Sequence, residues 1–374
     1  MTTEKFSLKD HLFNPVKIDQ LASEIKKVYP EFKDKQFKNE VLSPFQNLEL
    51  KQRINHIASC LHKYLPKDFN QAIEIIIAAL PKQLDESKQD GDFGEFIYAP
   101  YGEYISEYGC TKDHLKKSLN ALKEITKRFS VEFAIRPFIN HFTEHTLAEI
   151  NKWCDDQNYH VRRLCSEGTR SKLPWAMKVN ITHIHTLPLL NKLFMDNTRY
   201  VTRSVANHLN DISKTHPQIV LQTLQNWQKS KKQNEVEMQY IIKHALRTLI
   251  KEGNAAALAM VGIGDSKNIK LTKLNYPKIV KMGATLEFSF EIESSKDNPA
   301  IVDYIISFQN KIGQLKNRKV FKLKTFEMIK NKKILLTKRH PLREMTTRQL
   351  YPGPHKVQIQ VNGTVLHEFI FILE

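Results

Sequence analysis

Three segments of the chain, each forty residues from the next, carry one pattern: VRRLCSE from Val161, VTRSVAN from Val201 and IIKHALR from Ile241. Arg163, Arg203 and Lys243 fall at the same place in the three, as do Glu167, Asn207 and Arg247. A further apolar helical run follows each. A unit of this length with two helices cannot bury its apolar face alone, so neighbouring units must stack. The expected fold for residues 1–265 is therefore mainly α, a HEAT-like α-helical solenoid (an α-α superhelix) with an inner face suited to extended partners. On that face Arg163, Arg203 and Lys243 stand in register as candidate contacts to a polyanion, with Asn207 beside them.

Helical spacing continues toward the N-terminus. Val16, Ile18, Leu21, Ile25 and Val28 form one expected buried face, and Leu50, Ile54, Ile57, Leu61 and Leu65 another, on a helix over 47–65. A third helix is expected over 68–80, stopped by Pro81. Residues 91–109 are rich in aromatics and Gly, and read as a loop plus a short helix whose rings either pack between helices or stack on bases. After Gly264 the pattern changes to alternation: TLEFSFEIE, VDYIISFQN, RKVFKLKTFEMI, KVQIQVNG and VLHEFIFIL. With the Asn362-Gly363 turn signal, these runs predict a small all-β immunoglobulin-like sandwich over 271–374.

Charge narrows the partner. The chain has 57 Lys and Arg against 40 Asp and Glu, a formal net charge of +17. Residues 271–374 hold 18 Lys and Arg against 9 Asp and Glu, so about half of the excess sits in under a third of the chain. A protein this basic is expected to meet nucleic acid. Lys316, Arg318, Lys319, Lys322, Lys324, Lys332, Lys333, Lys338 and Arg339 either clamp a phosphate backbone or serve the stability of the sandwich. Cys60, Cys110, Cys154 and Cys165 are widely spaced, which excludes a disulfide frame and a zinc site built on paired cysteines. No apolar run approaches the roughly 20 residues that span a bilayer, and MTTEKFSLKDHLFN has no signal-peptide core. The expected compartment is the cytoplasm.

Five charged residues stand out. Arg163, Glu167 and Arg170 lie at i, i+4 and i+7, one stripe of a helix, with Val161, Leu164 and Cys165 on the apolar side. Glu132 sits in an apolar run, where a carboxylate is costly unless paired or used; it either pairs with Arg136 or faces a cleft. Asp211 is either a polar helix end or a partner of Glu167 in that cleft. HFTEH at 141–145 matches the H-x-x-E-H pattern of some zinc peptidases, but that chemistry needs one continuous helix. Here Thr146 and Glu149 read as a capping box opening a new helix, so no metal is expected.

EFAIRPFI at 132–139, VRRLCSEGTRSKLPWA at 161–176 and RSVANHLNDISKTHP at 203–217 together resemble the AlkC branch of the AlkC/AlkD bacterial DNA glycosylases. The resemblance implies an N-glycosylase that excises cationic N-methylated bases, such as 3-methyladenine and 3-methylcytosine, from duplex DNA. It implies no cofactor, no metal, and a monomer that associates with the bacterial nucleoid while on DNA. Glu167 and Asp211 would flank the sugar, with Glu132 facing the cationic base and Trp175 offering it a π face. Arg163 and Arg170 would hold the flanking phosphates and keep the carboxylates ionised. Ser171-Lys172 stands where the family pattern has Pro-Arg. Two other classes remain: a DNA-binding HEAT-repeat protein without chemistry, and a protein–protein scaffold.

Overall fold

The computed structural model describes residues 7–84, 87, 93–343 and 349–374. The first six residues of the charged N-terminus and the first two of the aromatic run lie outside them. Sixteen α-helices occupy the described part up to residue 260. They are α1 (Leu8–Leu12), α2 (Pro15–Val28), α3 (Asp34–Leu42), α4 (Leu50–Tyr64), α5 (Phe69–Ala79), α6 (Ala99–Gly109), α7 (Leu115–Thr126) and α8 (Ile135–His141). Next come α9 (Thr143–Trp153), α10 (Tyr159–Glu167), α11 (His183–Leu193), α12 (Arg199–Ser213), α13 (Pro217–Ser230), α14 (Glu235–Ala245), α15 (Arg247–Lys251) and α16 (Ala255–Met260). Eight strands follow: β1 (Ile269–Asn275), β2 (Ile279–Val280), β3 (Thr285–Ser294), β4 (Asn298–Gln309), β5 (Leu315–Met328), β6 (Ile334–Pro341), β7 (Gly353–Val361) and β8 (Thr364–Leu373). The chain forms two compact units, Met1–Ile212 with Asn226–Ile241, and Ser213–Gln225 with Ile242–Glu374.

The helical repeat is visible in how its side chains pair. Lys117–Glu74, Lys192–Asp155, Arg199–Glu237 and Arg162–Asp196 join residues 43, 37, 38 and 34 positions apart. Each pair ties one unit of the array to the next. Local rules set the helix ends. Asp68 accepts from the Gln71 amide and starts α5; Asn158 accepts from the His160 amide and starts α10.

Several expected details change. Ile18, Leu21 and Ile25 are buried, but Val16 and Val28, at the two ends of α2, are exposed. The helix expected to open at Thr146 starts earlier, at Thr143. Thr146 is buried inside α9 and donates its hydroxyl to the Phe138 carbonyl at 3.0 Å, which joins the helix to the end of α8. HFTEH still spans the α8–α9 junction, and among the described residues no His, Cys, Asp and Glu cluster could hold a metal. No described helix is long and apolar enough to cross a membrane.

In the sandwich a three-stranded sheet ordered β1-β3-β6 faces a five-stranded sheet ordered β2-β8-β7-β4-β5. Phe288, Phe290 and Ile292 of β3 pack against Tyr304, Ile306 and Phe308 of β4 and Phe369 and Phe371 of β8. This core closes without a disulfide. The basic run from Lys316 to Lys324 lies on β5, an edge of its sheet, where charged side chains discourage pairing with a foreign strand.

Asn362 and Gly363 turn β7 into β8 with φ of 47° and 81°, both in the left-handed region that a two-residue hairpin of this type requires. Asn362 also accepts from the Ile301 amide at 2.8 Å and donates to the Pro299 carbonyl at 3.2 Å, fastening the hairpin to β4. A Cβ on Gly363 would lie 2.6 Å from the Gly253 Cα and 2.7 Å from Leu258 Cδ1. Gly363→Ala is expected to destabilise the protein by about 1–3 kcal/mol through backbone strain and this close approach, read as a lowered denaturation midpoint.

Candidate active site

Helix α10 is built on an apolar side of Val161, Leu164 and Cys165, each at most 1% exposed. The sequence places a polar stripe opposite, facing a groove. Instead Arg163, Ser166 and Glu167 are also buried, because α12 lies over them. Ser204, His208 and Asp211 recur on α12 at i, i+4 and i+7, one helical stripe, and meet that polar side of α10 and the turn after it. Arg170 is not on the helix: α10 ends at Glu167, and Gly168 begins the turn that carries Arg170. A Cβ on Gly168 would meet the Ile135 side chain at 2.7 Å, so glycine lets α8 and this turn approach.

The charged groups form one connected set. Arg170 donates to Glu167 Oε1 at 2.6 Å, and to Asp211 Oδ2 through Nε at 2.9 Å and Nη2 at 2.8 Å. Ser204 donates to Glu167 Oε2 at 2.5 Å. Arg163 lies 3.8 Å from Glu167 and 3.5 Å from Glu132, and donates to the Ser130 hydroxyl at 2.7 Å. Ser130 in turn donates to Glu132. Burial pushes the Glu167 carboxyl up, but Arg163, Arg170 and Ser204 outweigh it and hold the group below the usual carboxylate range. The same acids lift Arg163 and Arg170 above their ordinary values against the opposing effect of burial. Three carboxylates thus face two guanidinium groups.

Arg163 is a correction to the sequence reading. Its guanidinium is caged between the Tyr200 ring at 4.5 Å and the Phe93 ring at 5.3 Å, and only 6% of the residue is exposed. That environment suits an internal counter-ion, not a phosphate contact. Glu132 pairs with Arg163 rather than Arg136. Arg136, 1% exposed, donates to the carbonyls of Met177 at 2.6 Å, Gly168 at 3.0 Å and Arg170 at 2.9 Å. One buried cation therefore folds the whole 168–177 loop. The sequence signal was an arginine in the apolar run EFAIRPFI, read there only as a possible partner for Glu132.

At the end of that loop Trp175 has φ of 63° and stands 75% exposed. Lys51 donates to its carbonyl. Its ring borders an apolar pocket of about 290 Å³ walled by Phe93, Phe96, Phe129 and Phe133, with Glu132 in the lining. Leu50 and Ile54, expected as core, instead line this pocket. Arg203 and Asn207 sit half-buried on α12; the Arg203 Nε donates to the Tyr240 hydroxyl at 3.3 Å. Lys243 is exposed near the end of α14. The network thus gathers Glu132, Arg163, Glu167, Arg170 and Asp211, and Trp175 and Glu132 line the same pocket.

Against known proteins, a family model described as the C-terminal Ig-like domain of uncharacterised protein YhaZ matches residues 270–374. Uncharacterized protein YhaZ of Bacillus subtilis (strain 168) is 34% identical over 361 residues, covering 95% of this chain and 96% of that protein. The structure of the Pseudomonas fluorescens alkylpurine DNA glycosylase AlkC, bound to DNA containing an abasic site analog, superposes with a TM-score of 0.86 at 34% identity, over 99% of this chain and all of that one. The chain belongs to the AlkC family. Its departure from the AlkC pattern, Ser171-Lys172, falls on two exposed positions of the loop that Arg136 organises, so the substitution leaves the buried network untouched.

His208 gives the network a measurable signature. Burial, aided by Arg170, pushes its pKa down to about 4, and Nδ1 donates to the Ser166 carbonyl at 3.1 Å. In the unfolded chain a histidine titrates near 6.5. Between these values the unfolded state binds a proton that the folded state refuses, so stability falls as pH falls. The contribution is complete above about pH 6.5 and lost toward pH 4, a difference of about 3 kcal/mol. Urea unfolding across that range should show a shallower pH dependence for His208→Asn, which keeps an N–H donor but does not titrate.

Proposed function

We propose that the chain is a DNA N-glycosylase of alkylation repair that hydrolyses the glycosidic bond of cationic N-methylated bases, 3-methyladenine and 3-methylcytosine among them, in double-stranded DNA. The observation that carries this reading is Glu167, a carboxylate 5% exposed and held ionised among two arginines and a serine. Its likeness to the Pseudomonas fluorescens glycosylase supports the same assignment.

The chemistry asks little of a general acid, because a methylated cationic base already leaves readily. It asks instead for negative charge beside a deoxyribose that becomes oxocarbenium-like as the bond breaks. Glu167 and Asp211 supply that charge and flank the sugar, one of them orienting the hydrolytic water. In the DNA-free chain Arg170 occupies both. A phosphate entering beside Arg170 competes for its guanidinium, and each contact that it gives up returns a carboxylate oxygen to the sugar. Glu132, the most accessible of the three acids, faces the cationic base together with the Trp175 ring, where carboxylate and π face act in the same direction. Arg163 helps to keep Glu167 ionised from inside and pairs with Glu132. Arg170, Arg203, Asn207 and Lys243 are the proposed contacts to the DNA backbone.

A second reading has one observation in its favour: all three acids are ion-paired, as they would be in a DNA-binding protein without chemistry. Single-turnover release of bases from methylated duplex DNA separates the two. The wild-type protein should liberate 3-methyladenine. Glu167→Gln and Asp211→Asn should each slow release by about a hundredfold or more, while DNA binding persists. Wild-type rates in both variants would remove these residues from the mechanism. Binding without any release would establish the second reading.

A further inference from the structure

The second compact unit contains a cavity that the glycosylase reading leaves unused. It measures about 550 Å³, within the range of about 300–1,000 Å³ typical of small-molecule sites. Its floor is aliphatic, from Ile250 at the end of α15, Ile263 after α16, and Ile301 on the outer face of β4. Four cations line it, Lys243, Arg247, Lys251 and Lys322, with Glu327 as an acid in the same lining. Among them, on β4, stands Asp303, only 4% exposed.

Asp303 has no hydrogen bond or ion pair to its carboxylate among the described residues. Lys322, its register partner on β5, and Lys251 are near enough to act on it electrostatically, yet neither makes an ion pair with it. Gln360, its register partner on β7, is turned away to donate to the Lys251 carbonyl at 3.2 Å. Burial lifts the Asp303 carboxyl to about 6 against the pull of those lysines, so it is ionised at neutral pH. An ionised carboxylate accepts hydrogen bonds only, so a ligand that reaches it from the cavity must bring donors. The cavity therefore suits a ligand that brings N–H donors to Asp303, an anionic group to the cations and an apolar body to the isoleucines.

We infer that this cavity binds a guanine nucleotide, with the base edge on Asp303 and the phosphate among Lys251, Arg247 and Lys322. Guanine alone of the four bases presents two adjacent donors, N1–H and the 2-amino group, that match the two oxygens of a carboxylate. Adenine and cytosine offer one amino group beside an acceptor, and thymine one N–H between two acceptors. The flat ring lies against Ile250, Ile263 and Ile301. The nucleotide is either free or an unpaired guanine in a strand; the recognition chemistry is the same.

Isothermal titration of the full chain with 5′-dGMP, 5′-dIMP and 5′-dAMP tests the inference. Expected is saturable binding of dGMP, about tenfold tighter than dIMP, which lacks the 2-amino group, and tighter still than dAMP. Asp303→Asn, close in shape, should abolish the preference for dGMP over dIMP. Competition by a duplex with a bulged guanine, and not by one with a bulged adenine, would identify the strand as the source; no competition would identify the free nucleotide. Absence of saturable dGMP binding, equal affinity for all three nucleotides, or an undiminished guanine preference in Asp303→Asn would overturn it. The first two comparisons use the wild-type chain and do not depend on how the variant folds.

Discussion

The exchange of hydration for ion pairs around Glu167 is what the rest of this structure accommodates. A carboxylate at 5% exposure loses most of its water, and in a protein interior that penalty commonly exceeds what one counter-ion returns. Here the balance is met by Arg170 on one oxygen, Ser204 on the other and Arg163 behind. None of these partners belongs to the same turn of the same helix. Arg170 is held by the loop, Ser204 by α12, and Arg163 by two rings from separate parts of the chain. The site therefore exists only when neighbouring helical units are stacked, and the stacking contacts Ser204–Glu167 and Arg170–Asp211 are themselves the site. Apolar residues of similar volume would join α10 to α12 at least as well. Stability alone therefore does not account for the acids and bases, and the proposed function gives them a role.

Arg136 shows how a second buried charge is used for geometry. Its donors are directed to carbonyls, not to an acid, and burial with the nearby Arg170 lowers its pKa to about 10 without discharging it at neutral pH. Carbonyls in the 168–177 loop would otherwise be satisfied by water, and the loop would be free to vary. Fixed to one cation, the loop delivers two functional groups in opposite directions: Arg170 inward to Glu167 and Asp211, and Trp175 outward over the pocket. The left-handed backbone at Trp175 is a cost of about 1–3 kcal/mol that the loop bears in presenting an exposed ring there.

The sequence pattern made the architecture legible because periodicity survives substitution. A forty-residue period, a switch from helical to alternating spacing after Gly264 and the Asn362-Gly363 turn were enough to anticipate helical units followed by a sandwich. Sequence spacing places residues on a face of their own helix, but it says nothing of what covers that face. Arg163 was read as facing a groove because its stripe is polar; α12 and the rings of Phe93 and Tyr200 bury it. The role of Arg136 was hidden for the same reason, since its partners are main-chain carbonyls 32 to 41 residues away with no side-chain signature. β6 escaped notice because its run, ILLTKRHP, alternates only weakly; it is held by continuous pairing with β3. Asp303 lies in the apolar run AIVDYIISF, the same kind of signal as Glu132, and passed as an outward-facing strand position until its side chain was seen buried in a cavity.

A chain with a net charge of +17 that gathers three carboxylates in its candidate site sets two opposite charges side by side. The two charges act over different distances. Surface lysines and arginines attract a polyanion through solvent, where at physiological ionic strength the field fades over about 8 Å. Glu132, Glu167 and Asp211 act across a few ångströms of poorly hydrated protein, where screening is weak and the arginines paired with them are fixed in place. The basic surface therefore does not cancel the acidic site. On the proposed function it supplies an affinity for phosphate that is indifferent to sequence, and the acids would distinguish, among the nucleotides so delivered, the one whose sugar and base can carry positive charge. Separating attraction from discrimination in this way requires that the acids be withdrawn from solvent, which returns to the desolvated, doubly paired Glu167 as the condition under which a basic protein can stabilise a cation.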